Sequence, residues 1–149
     1  MAAGTIDRSG GVPRALLLAA VPAVAVLFDY SMTLYFSGGA EALLALEYSP
    51  LVRFAVAHGV VPLYLLFMMA AYFAASAVVI RVFRGTALLP FGYAVILLVS
   101  INHVLGGLSW VVRNSLYSSL VIALSYGPLI LGVTALAYLL LFPQAAAGR

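Results

Sequence analysis

Residues 13–36 read PRALLLAAVPAVAVLFDYSMTLYF, and the length of this stretch decides the fold class. Arg14 at its start and Asp29 in its second half are its only charges. A helix crossing the hydrocarbon of a bilayer needs about 20 mainly apolar residues, and Pro13 suits a first helical position because its missing N–H is not needed there. Residues 54–83, 86–112 and 116–142 supply three more stretches of comparable length. The sequence therefore predicts an all-α integral membrane protein, a four-helix bundle forming a single domain over residues 1–149. Composition agrees: 66% of residues are hydrophobic, 7% are charged, and the mean hydropathy is +1.19. A water-facing domain of this size lacks the interior to hide so much apolar surface. Arg14 followed by Ala23-Val24-Ala25 resembles a signal peptide with its cleavage site. The apolar run continues to Phe36, too long for such a signal, so this segment is expected to be retained.

Working outward, residues 37–53 form the longest connection, with Gly38-Gly39, Glu41, Glu47 and Ser49-Pro50. Its middle, Ala40 to Leu46, is rich in helix formers and is expected to lie along the interface. Arg81-Val82-Phe83-Arg84-Gly85 and Arg113-Asn114-Ser115 make tight turns. Arg8, Arg14, Arg81, Arg84 and Arg149 fall on one side of the four spans, and Arg53 and Arg113 on the other. The bias of arginine toward the cytoplasm then puts both termini inside (N-in/C-in) and residues 37–53 outside a cell membrane. The second and third spans exceed the minimum and are expected to tilt. Pro22, Pro62 and Pro128 lie within spans, and Gly127-Pro128 is the expected break in the fourth.

Several chemistries are excluded. The chain has no cysteine, hence no disulfide and no thiolate metal site. Its net charge of +3 is spread out, with no basic run for nucleic acid. No HExxH or paired-histidine spacing points to metal-dependent hydrolysis, and nothing in the sequence indicates a reaction.

What remains are the residues that cost energy to bury. A charged Asp29 near the middle of a membrane costs about 2.5–3.5 kcal/mol, so it is expected to face other helices and find a partner. Thr33, one turn on, shares its face. In the third span Asn102, Gly106, Ser109 and Arg113 form one stripe, and His103, Gly107, Trp110 and Asn114 form the next. Gly106-Gly107 permits close approach of a neighbouring helix. Asp29 and His103 lie at similar depth along the helical rise, and an Asp29–His103 pair is expected because each lowers the cost of burying the other. Asp29, Thr33, Asn102, His103 and Arg113 are thus the expected polar cluster. Glu47, His58, Trp110 and Asn114 are placed around its outer mouth, Trp110 as an interfacial anchor. Tyr72 and Ser76 are assigned to the His58 side of the second span.

Phe28-Asp29-Tyr30-Ser31-Met32-Thr33, then Gly38-Gly39, then Glu47-Tyr48-Ser49-Pro50-Leu51 resembles the pattern of a family of small prokaryotic multi-pass membrane proteins of unknown function. That pattern has an Asp and a Thr four apart near the end of the first span, a Gly-containing outer loop, and a Glu-x-Asn-Pro-Leu segment. The resemblance covers the first third of the chain, which departs from it in carrying Ser49 for Asn and no Lys in the second span. It implies that Asp29, Thr33, Glu47 and Pro50 belong together, with the loop folded over the outer mouth. It implies no activity.

Three functions compete. The first is a non-enzymatic accessory or scaffold subunit of a membrane complex, partnered by the lipid bilayer and by another membrane protein or a second copy of itself. The second is a small transporter or a proton- or ion-handling protein using Asp29 and the third span. The third is a metal- or haem-binding protein using Asp29, His58 and His103 as ligands. No cofactor is expected, and the different depths of His58 and His103 count against a shared haem iron.

Overall fold

The computed structural model describes residues 11–142. Arg8 and Arg149, which enter the charge count, lie outside them. The chain forms six helices: α1 (Gly11–Phe36), α2 (Ala40–Leu46), α3 (Pro50–Ala57), α4 (Val61–Phe83), α5 (Leu89–Val112) and α6 (Ser115–Leu141). Of these, α1, α4, α5 and α6 are long and apolar enough to cross a membrane. The short α2 covers the residues expected of it.

Two expected spans start later than the hydropathy suggests. Residues 54–57 belong to α3, because Gly59 adopts φ 66 and turns the chain before α4 begins at Val61. This left-handed conformation suits glycine. Pro62 consequently stands in the first turn of α4 rather than inside a span, where it costs no helical hydrogen bond. At the third span, Thr86 caps the turn instead of opening the helix. Its Oγ1 donates to the Phe83 carbonyl at 2.8 Å and accepts from the Leu88 N–H at 3.2 Å. The expected break at Gly127-Pro128 does not occur, and α6 runs through it. Val121, Pro128 and Ala135 are its buried residues, so the proline sits on the seven-residue seam that packs α6 down, and packing holds the helix together across the missing donor.

The long helices do not close into the expected four-helix bundle. The central helix, α1, packs against α4 on one side and α5 on the other, while α6 packs extensively on α5 alone. Small residues explain the position of α1: Ala19, Pro22, Ala23 and Ala25 are buried along it, letting neighbours approach from two sides. Near the Arg14, Arg81 and Arg84 end, Ala19, Ile80 and Ile96 make an apolar core from α1, α4 and α5. The polar residues occupy the other half.

At that other end the connection is folded, not loose. Gly38 and Gly39 have φ 84 and 121, which lets the chain reverse into α2. Leu43 of α2 and Val52 and Ala55 of α3 are buried. Glu47 Oε1 accepts the Ser49 N–H at 2.8 Å, and Ser49 Oγ accepts the Val52 N–H at 3.4 Å as the N-cap of α3. Pro50 follows in the first turn. The segment Glu47-Tyr48-Ser49-Pro50 is thus a helix-start device, and asparagine at position 49 would cap in the same way.

Candidate functional site

The site forms where α1 and α5 run closest. A Cβ on Gly107 would lie 2.9 Å from the Asp29 Cα and 3.2 Å from the Met32 Cβ. Only glycine fits so near another helix's backbone. A Cβ on Gly106 would stand 3.4 Å from the Asp29 carboxylate, an ordinary contact. One turn before Gly107, His103 reaches back along the same face and places Nδ1 2.8 Å from Asp29 Oδ2. The two side chains are 16% and 18% exposed, His103 first. The ring of Tyr72 in α4 meets the His103 ring edge-on, with centroids 4.8 Å apart. Nearby, the Tyr30 and Tyr64 hydroxyls share a hydrogen bond of 2.8 Å between α1 and α4, their rings also edge-on.

This geometry has a definite chemical capacity. With the carboxylate ionised, Nδ1–H donates to it and Nε2 is left as the acceptor for a further proton. A proton arriving at Nε2 makes an imidazolium already paired with Asp29, which offsets part of the cost of charging it away from water. The pair is a place where a proton can be held.

Beside it lies a cleft of about 570 Å³ between α4, α5 and α6, lined by Tyr72, Asn102, His103, Ser125, Pro128 and Gly132 among others. The cleft lies between α4 and α6, which both pack on α5. Asn102 Oδ1 is buried without a hydrogen-bond partner among the described residues. Ser125 is satisfied, its Oγ donating to the Ile122 carbonyl at 2.6 Å.

No family model, curated protein or solved structure matches this chain.

Of the expected polar cluster, the structure brings Asp29 and His103 into contact, buries Thr33 one turn along α1, and lines the cleft with Asn102. Arg113 is elsewhere. It ends α5 at φ 47, and its guanidinium donates to the Phe36 carbonyl at 2.6 Å and to the Trp110 carbonyl at 3.1 Å. There it closes the end of α1, where a cation also suits the helix dipole. Asn114 caps α6, its Oδ1 accepting from the Leu116 and Tyr117 N–H groups. Trp110 is half-buried in the last turn of α5.

His58 also stands apart. It is exposed, hydrogen-bonded through Nδ1 to the Phe54 carbonyl at 2.8 Å and stacked on the Phe54 ring. Tyr72 touches His103, and the rise of α4 from Val61 to Tyr72 is about 16 Å. His58, which precedes α4, and His103 therefore do not share one iron. No three His, Asp or Glu side chains among the described residues converge as metal ligands. Tyr72 belongs to the His103 side of α4, not to the His58 side expected for it. Depth matching, the reasoning that pairs Asp29 with His103, was the available signal for Tyr72 too.

Glu47, in the folded connection, feels the charge of the site. Burial raises its pKa above the ordinary 4.5, the Ser49 N–H pulls it back, and the Asp29 charge adds to the rise. A carboxyl whose folded pKa is raised contributes stability that is full below its unfolded pKa and lost as pH rises through the folded value. Glu47→Gln keeps an acceptor for Ser49 and removes the charge. The variant is expected to match or exceed wild-type stability at neutral pH, by about 0.5 kcal/mol or less. The wild type should gain on the variant as pH falls toward 4.5. Chemical unfolding of both proteins across that range measures it.

Proposed function

We propose that this is a four-span membrane protein with both termini in the cytoplasm, and that the Asp29–His103 pair is a proton-holding site opening on the cleft beside it. Membrane insertion is supported by the outer surface of the long helices, where Leu17, Leu63 and Leu140 are 71%, 68% and 73% exposed. Apolar surface this extensive suits lipid, not water. Orientation is supported by Arg14, Arg81 and Arg84 at one end of the helices against Arg53 and Arg113 at the other. The proton reading is carried by one observation. His103 commits Nδ1 to Asp29 at 2.8 Å, which leaves Nε2 to whatever occupies the cleft.

The absence of native cysteine makes orientation simple to test with single-cysteine variants. Ala40→Cys should label with an impermeant reagent from outside intact cells, and Arg84→Cys only after permeabilisation. The reverse pattern overturns the orientation. For the proton site, the infrared difference spectrum of the reconstituted protein across a pH step should contain an imidazole ring band that His103→Gln abolishes and Asp29→Asn shifts. A spectrum unchanged by Asp29→Asn overturns that assignment.

An accessory-subunit role is the second reading. It is supported by α6, which packs extensively on α5 alone and leaves the remainder of its length to lipid or to another chain. A stoichiometric partner retained through purification, and lost when bulky residues are placed on the outer face of α6, would favour it.

A further inference from the structure

Resting on the reading of Asp29 and His103 as a proton site, we propose that the cleft between α4, α5 and α6 binds a neutral hydroxyl-bearing aromatic head on a hydrocarbon tail. Quinols and long-chain phenols share this chemistry.

The volume of about 570 Å³ lies within the usual range of about 300–1,000 Å³ for small-molecule sites. Leu129, Val133 and Leu136 of α6 supply an apolar wall, which suits a hydrocarbon chain. Asn102 and His103 of α5 face them with polar groups, and Tyr72 of α4 and Ser125 of α6 also line the cleft. Asn102 Oδ1 has no partner, and a buried acceptor left unpaired costs about 1–3 kcal/mol. That oxygen is shielded in the resting side chain, but Asn102 lines the cleft, and a turn about its terminal torsion, which is broad, brings it to a ligand hydroxyl that donates what it lacks. His103 can meet the same head through Nε2, since Nδ1 is held by Asp29. Tyr72, edge-on to His103, adds an aromatic surface that favours a ring over an aliphatic head.

Depth and charge narrow the class further. Asn102 is about 15 Å of helical rise from Val112 and about 20 Å from Leu89, near the middle of α5. A phospholipid headgroup held at the membrane surface does not reach it. Only a head that itself enters the apolar interior does so. Among the described residues no arginine lines the cleft, so a phosphate or carboxylate head finds no counter-charge there. The second cleft, about 690 Å³ between α1 and α5, provides the contrast. Its one hydroxyl, Ser100 Oγ, already donates to the Ile96 carbonyl at 2.8 Å, so that surface suits acyl chains alone.

The test uses the full chain in phosphatidylcholine nanodiscs, with tritiated 4-decylphenol as probe in a scintillation proximity assay. Wild type should bind saturably at one site. Asn102→Leu should weaken binding at least tenfold, and Gly132→Leu should abolish it by filling the cleft. The Gly132 position has room for a Cβ, the nearest atom being Val95 Cγ1 at 3.8 Å, so the variant is expected to fold. Circular dichroism and gel filtration check that it does. Ile101→Ala in the second cleft should leave binding unchanged. The methyl ether of the probe should compete at least tenfold less well, because it has no hydroxyl to donate. Tighter competition by decylubiquinol under argon assigns the natural ligand to the quinol pool, and weaker competition assigns it to phenolic lipids. Non-saturable uptake, equal in wild type, Asn102→Leu and Gly132→Leu, overturns the proposal. The His103 imidazole band is measured on the same preparations. A band with no saturable binding removes the ligand and leaves the proton site. Saturable binding with no band removes the proton site, and with it the ligand's stated role.

Discussion

Leucine in place of His103 is expected to destabilise the protein by about 2–3 kcal/mol, because a carboxylate largely out of water loses its hydrogen-bond donor. The loss exceeds that of a single hydrogen bond because Asp29 stays behind, largely buried at 18% exposure, with its partner at 2.8 Å removed. Tyr72 also loses the ring it packs against. Much of the damage should be reversed by a second substitution. Asp29→Leu combined with His103→Leu removes both polar groups and is expected to unfold close to wild type. Asp29→Asn with His103→Gln, taken through the full cycle, should give a coupling energy of about 1–3 kcal/mol. Reversible unfolding in mixed micelles reads these values. A coupling near zero would mean the two side chains do not act on one another.

The second large effect is expected at Gly107, and the adjacent Gly106 makes it specific. Gly107→Leu forces a branched side chain to where even a Cβ lies 2.9 Å from the backbone of Asp29. The helices α1 and α5 must separate, at a cost of about 3 kcal/mol, and the Asp29–His103 contact opens with them. Gly106→Ala meets only the Asp29 carboxylate at 3.4 Å and is expected to change stability by about 1 kcal/mol or less. Two neighbouring glycines should thus differ widely in the size of their effect. If both variants unfold alike, helix propensity and not close approach governs this part of α5.

The parts of this architecture legible in the sequence are those where a polar residue breaks the apolar background. Asp29 and His103 stood out because each is costly in an apolar span, and helical rise alone set them level. Gly106-Gly107 marked the close approach for the same reason, two small residues where bulk is the rule. The run from Ala40 to Leu46 was readable because Gly38-Gly39 and Ser49-Pro50 bound it.

The rest lacked such punctuation. Phe54 to Ala57 is as apolar as the helix after it, so the turn at Gly59 was hidden within a continuous hydrophobic run. Arg113 continues the Asn102 stripe on paper. The chain leaves helical geometry at that residue, with φ 47, and periodicity stops predicting direction. The open placement of α6 was the least legible feature. Its residues are apolar on every face, and in apolar surroundings a packed face and an outward face need not differ in composition. Nor did the sequence separate structural from site polarity. Asn114 and Arg113 finish helix ends, while Asn102 faces a cleft, and only the fold distinguishes these uses.

The direct test of the central claim is the 15N spectrum of the His103 imidazole in the full-length protein in bilayers, compared with that of Asp29→Asn. The wild-type Nδ1 should carry a hydrogen donated to a carboxylate, with a resonance that moves when Asp29 becomes Asn while the His58 signals stay in place. A His103 spectrum unchanged by Asp29→Asn would contradict it, and would leave the polar residues of α1 and α5 as separate packing features.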